Sequence, residues 1–268
     1  MHPFLIGLLT AIPNVDQPVA VQPVVDQPVL HGDASVTSSL TAQDAAPAAP
    51  KWTGSVSAGL TATDGNSSVT TAAVDASAER KGEKDRWTVK GFWNFAEQEN
   101  AAGKSEITQR RVGASVKYDY FMSKRTFLFA NGGAEYDLKA GIDLRTYIGG
   151  GVGYQFYDTE TFKLSGEAGL NMFNEEFRAG GSDDYIAARL AETMGWQIRP
   201  DLKWDHSIEL FPSVEDKDDI YGKMDNKLKL NLTEKMFASA QWVMSYDNTP
   251  AANDRVDNLY VLTLGWSF

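Results

Sequence analysis

The chain has 268 residues, a formal net charge of −11 and no cysteine. The acidic balance argues against nucleic acid as a partner, because phosphates demand Lys and Arg; the missing cysteine excludes a disulfide framework and thiolate metal sites. No run approaches the roughly 18 apolar residues of a spanning helix, but a β-barrel stays open, since its alternate residues face lipid and lumen and an average hides both.

In chain order, Phe4 to Ile12 is a short apolar run interrupted by Gly7 and Thr10. It resembles the core of a signal peptide, without a preceding Lys or Arg or a clean cleavage site. Asp16-Gln17-Pro18-Val19 and Asp26-Gln27-Pro28-Val29 form a Pro-rich repeat, and Thr41 to Pro50 is an Ala/Pro linker. Proline fixes φ and removes an amide donor, so residues 1–50 read as a weak signal-like segment followed by a disordered periplasmic tail.

From Lys51 onward, apolar and polar residues alternate in segments separated by turn chemistry, the period of β-strands. Trp52 to Leu60 leads to a turn at Asp64-Gly65-Asn66, then Val69 to Arg80, then Trp87 to Phe95. Glu97 to Thr108 reads as a polar loop. Val112 to Tyr120 carries Arg111 and Lys117 on its other face. Leu128 to Tyr136 opposes Asn131 and Glu135. Ile142 to Phe156 opposes Asp143 and Arg145. Phe162 to Met172 opposes Lys163 and Glu167. Asn174 to Asp184 reads as a Gly/acid loop. Ile186 to Trp196 follows, with Glu192 out of place on the apolar phase. Trp204 to Leu210 opposes Asp205 and Glu209. After an acidic loop at Ser213 to Asp219, Ile220 to Leu232 opposes Lys223, Asp225, Lys227 and Lys229, with Asn226 interrupting the apolar phase. Ala238 to Tyr246, a loop at Asp247 to Asp257 and the final strand complete the chain.

The sum is an all-β chain: residues 51–268 form a closed antiparallel transmembrane barrel of about twelve strands, each near the roughly 9–11 residues that cross a bilayer obliquely. With the N-terminus periplasmic, most long polar loops fall outside and most tight turns inside. Under this topology Trp52, Trp87, Tyr118, Tyr120, Tyr154, Phe156, Phe162, Trp196, Trp204 and Trp266 share the lipid-facing phase at periplasmic strand ends. That is an aromatic girdle; a soluble β-sandwich would spread its aromatics through a core. At the chain end Tyr260, Leu262, Leu264, Trp266 and Phe268 repeat every second residue. This resembles the C-terminal signal of bacterial outer-membrane proteins, which implies the barrel-assembly machinery as a partner.

Residues 51–268 resemble the bacterial family of salt-induced outer membrane proteins, a family of unknown function. The resemblance rests on Trp52-x-Gly54-x-Val56, Tyr118-Asp119-Tyr120-Phe121, Gly141-x-Asp143-Leu144-Arg145, Gly149-x-Gly151-x-Gly153-Tyr154, Leu164-x-x-Glu167-x-Gly169 and the Tyr260 to Phe268 ending. It implies the barrel fold and the outer membrane of a Gram-negative-type bacterium, with lipid and lipopolysaccharide as surroundings. It implies no catalytic residue or cofactor.

The candidate chemistry is sparse. His206 lies between Asp205 and Ser207, but strand neighbours point to opposite faces and cannot form a dyad on one. An outer-membrane hydrolase is therefore a remote reading. Gly149, Gly151 and Gly153 alternate along a strand with no helix after them, so a phosphate loop is excluded by context; they leave room in the lumen or let the wall bend. Glu175, Glu176, Asp183, Asp184, Glu215, Asp216, Asp218, Asp219, Asp254 and Asp257 crowd the outer loops, where divalent cations could bridge to lipopolysaccharide. The lumen should carry Arg111, Lys117, Asp143, Arg145, Lys163, Glu167, Arg189, Glu209, Lys223, Asp225, Lys227 and Lys229. Two functions compete: a narrow passive channel for small polar or anionic solutes, with Lys223, Lys227 and Lys229 as a basic ladder, and a salt-bridged barrel that serves envelope integrity under salt or osmotic stress without conducting.

Overall fold

The computed structural model describes residues 50–63, 68–99, 103–216, 218–251 and 254–268. The expected tail over residues 1–50, apart from Pro50, and the Asp64-Gly65-Asn66 turn lie outside the described residues. In the rest, the alternation runs as β1 (Trp52–Thr63), β2 (Val69–Lys81), β3 (Asp85–Glu99), β4 (Ser105–Phe121), β5 (Thr126–Asp137) and β6 (Ile142–Asp158). It continues as β7 (Phe162–Phe177), β8 (Ser182–Arg199), β9 (Leu202–Pro212), β10 (Ile220–Asn231), β11 (Met236–Asp247) and β12 (Val256–Ser267). Each strand pairs antiparallel with its neighbours in sequence, and β12 pairs with β1 to close the ring. The twelve-strand barrel expected from the period of two is the fold of this chain.

Three of the tight turns are held by hydroxyl side chains. Ser123 Oγ accepts from the Thr126 N–H at 2.9 Å, Thr159 Oγ1 from Phe162 and Thr233 Oγ1 from Met236, also at 2.9 Å. A Ser or Thr that caps the backbone three residues on holds a short turn without another strand's help. At the opposite end Gly180 and Gly181 adopt φ of +90° and +95°, a region that disfavours side chains, and let β7 fold back into β8.

The strands are longer than the alternation implied, from 11 residues in β9 to 18 in β8. Asn174 to Asp184 is mostly not a loop: the β7–β8 ladder continues through Glu176↔Ser182, so Glu175, Glu176, Asp183 and Asp184 lie on strands. Polar residues can keep pairing, because the ladder needs only backbone groups. Glu97 to Thr108 shortens for the same reason, with β3 reaching Glu99 and β4 starting at Ser105.

One inward assignment changes. A β-bulge between Ile142 and Leu144 shifts the phase of β6 at its start. Ile142 therefore turns in and is buried, while Asp143 is exposed and sits 3.5 Å from Arg178 instead of lining the lumen. The outer surface is apolar along the wall, with Leu60, Ile148 and Leu262 exposed by 75%, 66% and 76%. Inside, polar groups such as Asn94, Glu135, Asn171 and Thr263 are buried together with Phe127, Phe173 and Phe237.

The alternating glycines of β6 have a packing cause. A Cβ on Gly153 would stand 2.2 Å from Cζ of Phe127, and one on Gly149 would stand 2.1 Å from Oδ1 of Asn171. Side chains from the flanking strands lean across these glycines into the lumen, which is the room-making role expected of them.

Candidate functional site

The lumen holds two charge networks. Nearer the long-loop end, Glu135 on β5 is the hub. It accepts from Arg111 on β4 at 3.2 Å, Arg145 on β6 at 3.1 Å, the Tyr221 hydroxyl on β10 at 3.2 Å and Lys223 on β10 at 2.7 Å. The β5 and β10 walls almost face each other around the ring, so the Glu135–Lys223 pair crosses the lumen. Arg145 extends the layer to Glu175 at 2.6 Å and to Asp247 on β11 at 3.8 Å. Tyr185 donates to Glu175 at 2.8 Å, and Arg111 also meets Asp137 at 3.2 Å. Glu135, Arg145 and Arg111 are all buried. Buried charges persist only when paired, and here each is paired more than once.

The second network lies nearer the tight turns. Arg86 and Lys117 both bind Asp119 at 2.7 Å, Lys117 also binds Glu167, and Arg189 joins Glu167 at 2.6 Å and continues to Glu209. Aromatic rings wall these charges in. The Arg145 guanidinium lies 4.2 Å from the Tyr221 ring, and that of Arg189 lies 4.9 Å from Phe129. Phe173, Tyr185, Phe211 and Tyr221 pack as one buried cluster on the β7 to β10 side. A guanidinium over a ring in a dry space gains electrostatic attraction and excludes water together.

The remaining lumen residues are less crowded. Lys163 is exposed near the tight turns. Asp225 accepts twice from Gln241 at 2.9 Å, and Lys229 donates to Ser267 at 2.8 Å and rests 4.1 Å from the Phe237 ring. Lys227 stands beside Asp205 in the β9–β10 register but forms no salt bridge among the described residues. The three β10 lysines are thus divided among different partners, and only Lys227 and Lys229 remain towards the tight turns. Below the Glu135 layer lies a cavity of about 160 Å³, lined among others by Asp75, Lys90, Asn94, Asp225 and Gln241.

Outside, the girdle aromatics gather at the tight-turn end. Trp87 and Tyr118 lie 4.8 Å apart between centroids, Tyr154 and Phe156 5.2 Å, and Trp196 and Trp204 6.4 Å. Trp52, Tyr120, Trp266 and Phe268 are exposed on the same face, and Phe162 stands opposite Trp196. Of the chain-end residues, Tyr260 stacks on Trp242 at 6.2 Å, and Leu262 and Leu264 are exposed outward.

Asp205 faces inward and binds Lys203 at 2.7 Å, whereas His206 faces outward. Asp205, His206 and Ser207 therefore do not converge. His206 instead meets Asn226, Nδ1 to Oδ1 at 2.9 Å, and lies 4.0 Å from Glu192. The residues on its own strand face are Trp204 and Ile208, neither of them a nucleophile. Among the described residues no group of three or more His, Cys, Asp or Glu is arranged to hold a metal ion. Glu175, read from the sequence as an outer-loop carboxylate, is buried against Arg145.

Reading the lumen from sequence missed Arg86, Asp119 and Glu175, and the inward Phe127, Phe129, Phe173, Phe211 and Phe237. Their signal was an aromatic or charged residue on the phase opposite the lipid-facing run, visible for Phe127 and Phe129 once Leu128 and Ala130 are placed outward.

A family model described as "Protein of unknown function, DUF481" matches residues 56–268. The chain belongs to this family. No curated protein matches the chain. Among solved structures it is similar to the NanC porin, at 9% identity over 81% of this chain and 98% of that one, with a TM-score of 0.46. It is also similar to the translocator domain of the autotransporter NalP from Neisseria meningitidis, at 9% identity over 81% and 87%, TM-score 0.43. A third is the COG4313 outer membrane channel from Pseudomonas putida F1, at 9% identity over 82% and 95%, TM-score 0.45.

Proposed function

We propose that this member of the family is an outer-membrane barrel whose lumen is shut at rest by a septum of ion pairs, and that it serves the envelope as a structural, non-conducting element under osmotic stress. A closed ring with an apolar outer wall and an aromatic belt supports the membrane setting. The observation that carries the closed state is the Glu135–Lys223 contact across the lumen, with Arg111, Arg145 and Tyr221 on the same carboxylate. A barrel of this strand number lies between small, filled barrels and sixteen-stranded porins, so its contents decide whether it conducts.

A second reading, a narrow channel for small polar or anionic solutes, draws on the cavity of about 160 Å³ and on Lys227, which forms no salt bridge among the described residues. Planar-bilayer recordings separate the two. The refolded parent should give no current steps, and Glu135→Ala should open them. Anion-preferring steps from the parent, reversed by Lys227→Glu with Lys229→Glu, would replace the septum with the channel.

A further inference from the structure

The outward wall of β8, β9 and β10 carries three polar side chains where its neighbours are apolar. Glu192, His206 and Asn226 all take the lipid-facing phase, among Leu190, Met194, Ile208, Met224 and Leu228. The register brings them together: His206 is directly opposite Asn226, and Glu192 is diagonal to His206. Their heights place them inside the membrane. His206 is two residues beyond Trp204 and Glu192 four beyond Trp196, so at roughly 3.3 Å per residue and a tilt of roughly 40° they sit about 5 to 10 Å inward of that aromatic pair.

The cluster satisfies itself only in part. The Asn226 side-chain oxygen accepts from His206 Nδ1 at 2.9 Å, and His206 Nε2 stands 4.0 Å from the Glu192 carboxylate. Among the described residues the Glu192 carboxylate has no hydrogen-bond donor and the Asn226 amide nitrogen no acceptor. Acyl chains provide neither, and headgroups lie beyond the girdle. The unmet groups are complementary to one another: an acceptor at Glu192, a donor at Asn226, and His206 between them.

We infer that this face is a two-fold interface with a second copy of the chain. In a two-fold contact residue i meets j and j meets i, so one copy's Asn226 amide reaches the other's Glu192, and the reverse contact follows by symmetry. Adjoining Asn226 is a concavity of about 650 Å³ reached by the outward Trp204, Leu228, Trp242, Tyr260 and Leu262 and also touching Thr61 and the buried Gln241 and Val261, and its outward residues give an apolar flank to pack beside the polar centre. Interhelical polar groups join membrane helices on the same principle; here a strand wall presents them. The inference rests on the membrane setting proposed above and not on whether the lumen is closed.

The chain has no cysteine, so single cysteines report contacts without background. Leu190→Cys lies beside Glu192 on this wall, and Val89→Cys lies on β3, across the ring. Both are refolded as full chain into phosphatidylcholine vesicles, with heat-modifiable mobility as proof of the folded barrel, and treated with a short bis-maleimide. The expected result is a product of twice the monomer mass at Leu190→Cys and none at Val89→Cys, and a several-fold loss of that product when Glu192→Leu and Asn226→Leu are added to the same chain. Equal yields at both positions, a monomer throughout, or a dimer indifferent to the two leucines would each overturn it. A barrel that fails to insert would remove the membrane setting as well, and is told apart by loss of protease protection.

Discussion

Glu135 and Lys223 meet at 2.7 Å although 88 residues separate them in sequence. The two are unequal partners. Among the described residues Lys223 has one carboxylate, whereas Glu135 also holds Arg111 and Arg145. Removing the carboxylate leaves Lys223 without a salt bridge among the described residues and takes one of their acids from Arg111, which keeps Asp137, and Arg145, which keeps Glu175 and Asp247; breaking such a buried network costs about 3–5 kcal/mol. Lys223→Met leaves Glu135 with two arginines and should cost clearly less. Urea unfolding of each variant in lipid, followed by tryptophan fluorescence, measures both. A Lys223→Met barrel as unstable as Glu135→Ala would show that the septum has no hub.

The seam between β1 and β12 gives the next prediction. Phe268 donates to the Gly54 carbonyl at 3.0 Å and Gly54 donates back to Phe268 at 3.0 Å, with the Phe268 ring against Gly54. Replacing Phe268 with Asp should reduce folded, heat-modifiable barrel far more than the same change at Ser267, whose side chain turns inward to Lys229. Gly54→Val should imitate the loss, since its side chain would meet the Ser77 carbonyl. Equal yields from all three would detach assembly from this seam.

Phe127 lies over Gly153. A valine there must expel a fully buried ring, so Gly153→Val should destabilise the barrel by at least about 2 kcal/mol. Adding Phe127→Ala should recover part of that loss, because the valine then fills the space. A double variant weaker than the sum of the singles, measured by the same unfolding assay, would contradict the packing account.

Orientation is testable in cells. A cysteine at Gly180, between β7 and β8, should react with an impermeant maleimide on intact cells, and one at Glu234, in the turn before β11, should not. The reverse labelling pattern would invert the barrel.

Much of this architecture was legible because a closed barrel repeats one rule, outward apolar and inward polar, for every strand. Val112 to Tyr120 and Phe162 to Met172 display that rule without exception. It failed at Asp143, where a single bulge reversed the phase, and at Glu175, where polarity looked like a loop but the ladder carried on. Bulges and strand ends are set by backbone pairing with a neighbour, which composition does not record. The septum was legible only as a list of charges. Which acid meets which base depends on strand number and stagger around the ring, so Glu135 and Lys223 could be placed in the lumen but not joined. Likewise Glu192, His206 and Asn226 were each visible as misfits on the lipid phase, and only the register made them neighbours.

The β1–β12 ladder has a kinetic consequence. Its strand register spans four residue pairs, Ser55↔Ser267 to Ala58↔Leu264, extended only by the Gly54–Phe268 bonds, whereas β1 and β2 align over the whole of β1. The shortest ladder also joins the strands farthest apart along the chain. Bringing them together carries the largest loop entropy and returns the fewest contacts, so closure should be the last and slowest event in folding. In the membrane setting proposed above, two strand edges stand open until then where no water can satisfy them. The half-life of that open sheet, rather than the strength of the finished wall, then sets how much of this barrel reaches its mature form.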